Sequence, residues 1–124
     1  MAKPMEEARA TRILLVEDEY MIAQDMAHEI RTFGAEVLGP VGTVGEAMRL
    51  VDSGTEFDAA FLDLNLNGDF SYPLVDVLRD RGVRIIFTPG YDEHVIPQRY
   101  ADIPRCAKPV TRLVLQRMME TVAG

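Results

Sequence analysis

The sequence is poor in several things, and each scarcity closes a class of function. A single cysteine, Cys106, stands in 124 residues. An intrachain disulfide framework is therefore excluded, and a reducing compartment is consistent with that usage. Basic residues are outnumbered, 13 Lys and Arg against 20 Asp and Glu, for a net charge of -7. That balance opposes non-specific binding to nucleic-acid phosphates and to anionic membrane surfaces, so neither nucleic acid nor membrane is an expected partner. Apolar runs reach only a few residues, too short for a membrane span. Residues 1–11 are polar and charged and lack the apolar core of a signal peptide, so they are expected to form a tail or short extra helix, and the location is expected to be cytoplasmic. Repeats and low-complexity segments are absent.

What is present suits one ordinary domain over residues 12–124. Hydrophobic residues make up 48% of the chain and charged ones 27%, enough for a core inside a normal surface. Five short apolar runs read as buried strands: residues 12–16, 35–41, 58–62, 83–88 and 105–107. Helical periodicity alternates with them. Ile22, Met26, Ile30 and Phe33 share one face. Thr43 and Glu46 have the form of a capping box before Ala47, Leu50 and Val51. Ser71 is placed to cap a helix with Pro73 in its first turn and Leu74, Val77 and Leu78 inward. Residues 92–100 make at best a short, weak helix, because Pro97 falls inside it. Leu115, Met118, Met119 and Val122 form the inner face of a last helix over 111–122. Residues 65–69 read as a turn-rich loop. The alternation predicts a flavodoxin-like α/β fold: a doubly wound, five-stranded parallel sheet, order 2-1-3-4-5, with helices on both faces.

Charged residues stand where these strands end. Glu17-Asp18-Glu19 follows the first strand, Asp63 the third and Lys108 the fifth. In a parallel sheet such ends share one edge, where ligands bind. Two carboxylates about 4 Å apart repel by roughly 4 kcal/mol at an effective dielectric near 20, so such a cluster calls for a cation. Each group has a plainer reading alone: a solvated helix start, a turn cap, a surface lysine. Their coincidence at matched strand ends favours a metal site beside a nucleophile.

With Glu17-Asp18, Asp63 and Lys108-Pro109 in these positions, the chain from residue 12 to about 122 resembles the CheY-like receiver domains of bacterial two-component response regulators. A narrower likeness runs through residues 61–73, 81–83 and 87–91, to alphaproteobacterial single-domain receivers whose fourth strand ends in Phe-Ala-Thr-Gly-aromatic. The resemblance implies a stand-alone signalling phosphoprotein that is not an enzyme beyond assisting its own phosphorylation and dephosphorylation. It implies Asp63 as phosphoacceptor, Lys108 as a contact to the phosphoryl oxygens, and Mg²⁺, or Mn²⁺ in its place, held by Glu17, Asp18, Asp63 and the main-chain carbonyl of Asn65. The implied partners are a histidine kinase and a histidine phosphotransfer or other regulatory protein. An aspartate-nucleophile Mg²⁺ phosphohydrolase is disfavoured, since the general-acid position two residues after the nucleophile is Asn65.

The switch region departs from the pattern. The strand-four Ser/Thr slot holds Pro89, which has no hydroxyl. Thr88 falls one residue early and is expected to face away from the site. The aromatic three residues before the lysine is Arg105, and Tyr91 is the candidate substitute. The first reading is a phosphoacceptor that regulates a partner protein or acts as a phosphate sink; these departures motivate the alternative of a protein-binding module with weak phosphorylation-dependent switching. His28, in a sequence like a kinase phosphorylation box, is expected to face solvent from its position on the helix.

Overall fold

A computed structural model describes residues 10–90 and 96–123. The chain order is β1 (Arg12–Val16), α1 (Tyr20–Thr32), β2 (Glu36–Val41), α2 (Val44–Asp52), β3 (Ala59–Leu62), β4 (Asn65–Leu66), β5 (Asp69–Phe70), α3 (Tyr72–Asp80), β6 (Arg84–Phe87), a 3-10 turn (Gln98–Tyr100) and α4 (Arg112–Ala123). Four strands form the main sheet in the order β2-β1-β3-β6, and every pair is parallel. The expectations for residues 1–9 and for Tyr91 lie outside the described residues.

Alternation along the strands divides the core in two. Leu14, Val16, Leu62 and Phe87 face α2 and α3, packing with Ala47, Val51, Leu74 and Leu78. Ile13, Leu15, Phe61 and Ile86 face the other way, with Met26 and Ile30 of α1 and Leu115 and Met119 of α4. Helices therefore cover both faces, as expected of strands that are apolar on both sides. α1 presents Ala23, Met26, Ala27 and Ile30 inward and leaves His28 exposed. At the start of α2, the Thr43 hydroxyl accepts from the Glu46 N–H at 3.0 Å, and Glu46 reaches back to the Gly42 N–H at 3.2 Å. This is the anticipated capping box, returned one residue earlier than usual.

Two expectations need correction. The fifth strand is a single parallel bridge from Phe87 to Arg105, flanked by the Cys106 N–H to Phe87 carbonyl bond at 2.7 Å. Pro104 and Pro109 bracket the segment, and prolines cannot donate to a ladder. Its place beside β6 keeps the order 2-1-3-4-5 with four ladder strands. Of the segment 92–100, expected to be at best a short, weak helix, residues 98–100 form a 3-10 turn after Pro97 and 92–95 lie outside the described residues. Ser71 occupies the N-cap position of α3 but makes no side-chain cap bond; its buried hydroxyl has no hydrogen-bond partner among the described residues, while its N–H donates to the Leu64 carbonyl at 3.0 Å.

Residues 65–69 hold more order than a loop. β4 and β5 pair antiparallel, Asn65 with Phe70 and Leu66 with Asp69, around Asn67 (φ 55°) and Gly68 (φ 96°). Two successive left-handed residues make the tight hairpin turn for which Asn-Gly is the preferred pair.

Candidate functional site

Main-chain hydrogen bonds fix the strand ends side by side. The Glu17 N–H donates to the Val41 carbonyl at 2.9 Å and the Asp63 N–H to the Val16 carbonyl at 3.0 Å. The Lys108 N–H donates to the Pro89 carbonyl at 3.0 Å. The ladders thus bring Glu17, Asp63 and Lys108, far apart in sequence, to one edge of the sheet.

There the Lys108 Nζ lies 2.6 Å from Glu17 Oε1 and 2.9 Å from Asp63 Oδ2. All three are largely withdrawn from solvent, with side-chain exposures of 12% for Lys108, 0% for Glu17 and 5% for Asp63. The other Glu17 oxygen accepts from the Glu19 N–H at 3.0 Å. Asp18, half-buried, accepts from the Asn67 N–H at 3.0 Å. One carboxylate oxygen from each of Glu17, Asp18 and Asp63 lies within 4.8 Å of the others.

Three carboxylates against one ammonium leave the cluster short of positive charge. Burial pushes the Glu17 carboxyl above its ordinary value, and the hydrogen bonds from Lys108 and the Glu19 N–H offset that only in part. For Lys108 burial acts downward, but the hydrogen bonds and charges of Glu17 and Asp63 outweigh it and hold the ammonium above its ordinary value. Lys108 is therefore charged near neutral pH and cannot by itself compensate the acidic side chains. An oxygen-only donor set with surplus negative charge suits a small hard divalent cation.

The cluster opens into a cleft of 770 Å³, walled by Ile22 and Met26 of α1 on one side and by Lys108, Pro109 and Val110 on the other, with Asn65 and Gly90 at its rim. Thr88 is buried, and its hydroxyl has no hydrogen-bond partner among the described residues. Arg105 is exposed and meets β6 by its main chain. The Asn65 side chain closes the hairpin by accepting from the Gly68 N–H at 2.7 Å.

The fold is that of a solved family. The solution structure of SdrG from Sphingomonas melonis Fr1 superposes with a TM-score of 0.82 at 30% identity, over 93% of this chain and 98% of that one. The chain belongs to the CheY-like response regulator receiver domains. A CheY-like receiver from Methylobacillus flagellatus shares the fold at TM-score 0.79 and 20% identity, covering 92% of this chain and 99% of that one. So does the PhyR receiver domain of Erythrobacter litoralis, at 0.80 and 21%, covering 94% and 92%. No protein-family model matches the chain, and no curated protein does. The likeness supports a receiver of two-component signalling, a family whose members are signalling phosphoacceptors rather than classical enzymes.

The hairpin at Asn67-Gly68 was not anticipated from the sequence, and with it the contact from Asn67 to Asp18. The signal was present: an Asn-Gly pair directly preceded by the buried Leu66. The same region holds an aromatic stack. Phe70 lies on Tyr72 with ring centroids 5.7 Å apart, and Tyr72 on Tyr100 at 4.7 Å. Periodicity says nothing of such a stack, since its three rings come from separate elements.

Proposed function

We propose that this receiver accepts a phosphoryl group on Asp63 from a phosphohistidine, carried by a histidine kinase or a histidine phosphotransfer protein, in a Mg²⁺-dependent manner. The observation that carries the reading is the convergence of Glu17, Asp18 and Asp63 within 4.8 Å, with the Lys108 ammonium against two of them. In the transfer, an Asp63 carboxylate oxygen forms a bond to phosphorus as the phosphorus–nitrogen bond breaks. The imidazole leaves with the bonding electron pair, and the product is an acyl phosphate.

The residues divide the work. Glu17, Asp18, Asp63 and the Asn65 main-chain carbonyl would hold Mg²⁺, with Mn²⁺ as a substitute. The ion supplies positive charge against the carboxylates and the transferring phosphoryl oxygens. Lys108 can exchange its contact with Asp63 for the new phosphoryl oxygens, to which a compact ammonium is suited. The protein turns over no external substrate in this reading; it assists only its own phosphorylation and dephosphorylation. The compartment that fits is the cytoplasm, where the kinase domain presents its histidine.

A second reading has its own support. Pro89 stands where the usual hydroxyl would be and Arg105 where the usual aromatic would be, which supports weak coupling of phosphorylation to the rest of the protein. The chain would then act as a phosphate sink, or as a binding module that responds weakly to phosphorylation. Incubation with acetyl phosphate and Mg²⁺, followed by intact mass and amide NMR, tests both. Phosphoryl mass on the wild type, absent in Asp63→Asn, is expected. Unlabelled wild type, under conditions that label a control receiver, would sink the phosphoacceptor reading. Labelling with amide shifts confined to the site would favour the sink.

A further inference from the structure

We infer that the Asn67-Gly68 turn is a positioning element for Asp18, acting through the Asn67 main-chain N–H; this rests on the reading of Glu17, Asp18 and Asp63 as a cation site. Electrostatics makes the need for such a support plain. Asp18 is flanked by Glu17 and Glu19 and faces Asp63, so repulsion favours swinging its half-buried side chain into water. Lys108 is engaged by Glu17 and Asp63, and no cation among the described residues pairs with Asp18. The donor that reaches its carboxylate is the Asn67 N–H, 3.0 Å from Oδ2. A hydrogen bond to an ionised acceptor is among the stronger ones and is directional. It leaves the other oxygen of Asp18 for an ion.

The turn can do this because it is held from several directions. Its left-handed backbone at φ 55° and 96° is closed by the Asn65 side chain on the Gly68 N–H. Leu66 is buried in the core on one strand. On the other, Phe70 is 54% exposed yet stacked on Tyr72, which in turn stacks on Tyr100. The Tyr100 hydroxyl donates to Asp76 of α3 at 3.0 Å. A carboxylate at the sheet edge is thus oriented by a hairpin whose far end is fixed by three rings.

The test exploits the fact that the main chain does the work. Asn67→Gly keeps the left-handed backbone; Asn67→Val puts a β-branched residue where φ is positive, and Gly68→Ala strains the same turn at its second residue. Asn67 and Gly68 are exposed, and urea midpoints check that each variant folds. Mg²⁺ is titrated into the wild type and each variant, followed by amide NMR shifts. The expected result is Asn67→Gly within about twofold of wild type, and Asn67→Val and Gly68→Ala weaker by about tenfold. Wild-type affinity in both disrupting variants, or an equal loss in Asn67→Gly, would overturn the inference while leaving the cation site intact. A wild type that shows no Mg²⁺-dependent shift would overturn the cation site itself.

Discussion

Lys108 carries more of the site than any other side chain. Its ammonium separates two buried carboxylates, at 2.6 Å from Glu17 and 2.9 Å from Asp63. Removing one partner of a buried ionic group leaves the others uncompensated, which typically costs several kcal/mol. Lys108→Met, which keeps the length of the stem, is therefore expected to destabilise the metal-free protein by about 3 kcal/mol in urea unfolding. Millimolar Mg²⁺ is expected to recover part of that loss by supplying positive charge. A midpoint equal to wild type without Mg²⁺ would show that the ammonium contributes nothing to the resting protein. At this scale the sequence was informative: Glu17, Asp63 and Lys108 were legible because each directly follows an apolar run, and Asp18 because it follows Glu17. The contact from Asn67 was not, because a main-chain donor leaves no mark in residue type. That the buried hydroxyls of Ser71 and Thr88 find no partner among the described residues was equally hidden, since burial of one atom depends on the packing of distant elements.

Among elements, β2 shows how a backbone detail supports the edge on which the site stands. The pairing of β1 with β2 shifts register between Leu14 and Val16, opposite Gly39. Gly39 has φ 98°, and a Cβ there would come within 2.8 Å of the Val41 N and 2.9 Å of the Leu15 carbonyl oxygen. Both contacts are main chain, so neither can yield cheaply. Gly39→Ala is expected to cost more than about 1 kcal/mol, read as a lower urea midpoint. Because the Val41 carbonyl accepts from the Glu17 N–H, the Glu17 amide resonance is expected to shift as well. A variant with wild-type midpoint would remove the claim that this position requires glycine. Strand positions were well read where runs were long and apolar: β1 spans the expected residues 12–16, and β3 and β6 fall inside their expected ranges. The fifth strand was over-read, since Cys106-Ala107 is too short to build a ladder between two prolines. The β4–β5 hairpin was under-read, since two residues per strand give no alternation to detect.

For the whole molecule, the two-layer core and the parallel order followed from the alternation of strand and helix, because right-handed crossovers leave few topologies. The global response to pH follows from groups buried in that core. Burial raises the Cys106 thiol above its ordinary value. Burial and the hydrogen bond to Asp76 do the same for Tyr100, and Glu17 and Asp63 hold Lys108 up. In each case the native state keeps its proton at a pH where the unfolded chain has begun to lose it. Their stabilisation is full below the ordinary values and fades as pH rises through the raised ones. The urea midpoint is therefore expected to fall from about pH 8.5 upward, the ordinary cysteine range. Cys106→Val is expected to remove the earliest part of that decline. A midpoint that stays level up to about pH 10.5 would contradict the assignment, since all three ordinary values lie near or below it.

Phosphorylation at Asp63 is the claim on which the rest depends, and its site can be read directly. Borohydride reduces an acyl phosphate to an alcohol, which converts a phosphorylated aspartate to homoserine. After treatment with acetyl phosphate and Mg²⁺, then borohydride, peptide mass mapping is expected to find homoserine at position 63, and only when Mg²⁺ was present. Homoserine at another carboxylate, labelling that ignores Mg²⁺, or no conversion where a control receiver is converted would contradict it.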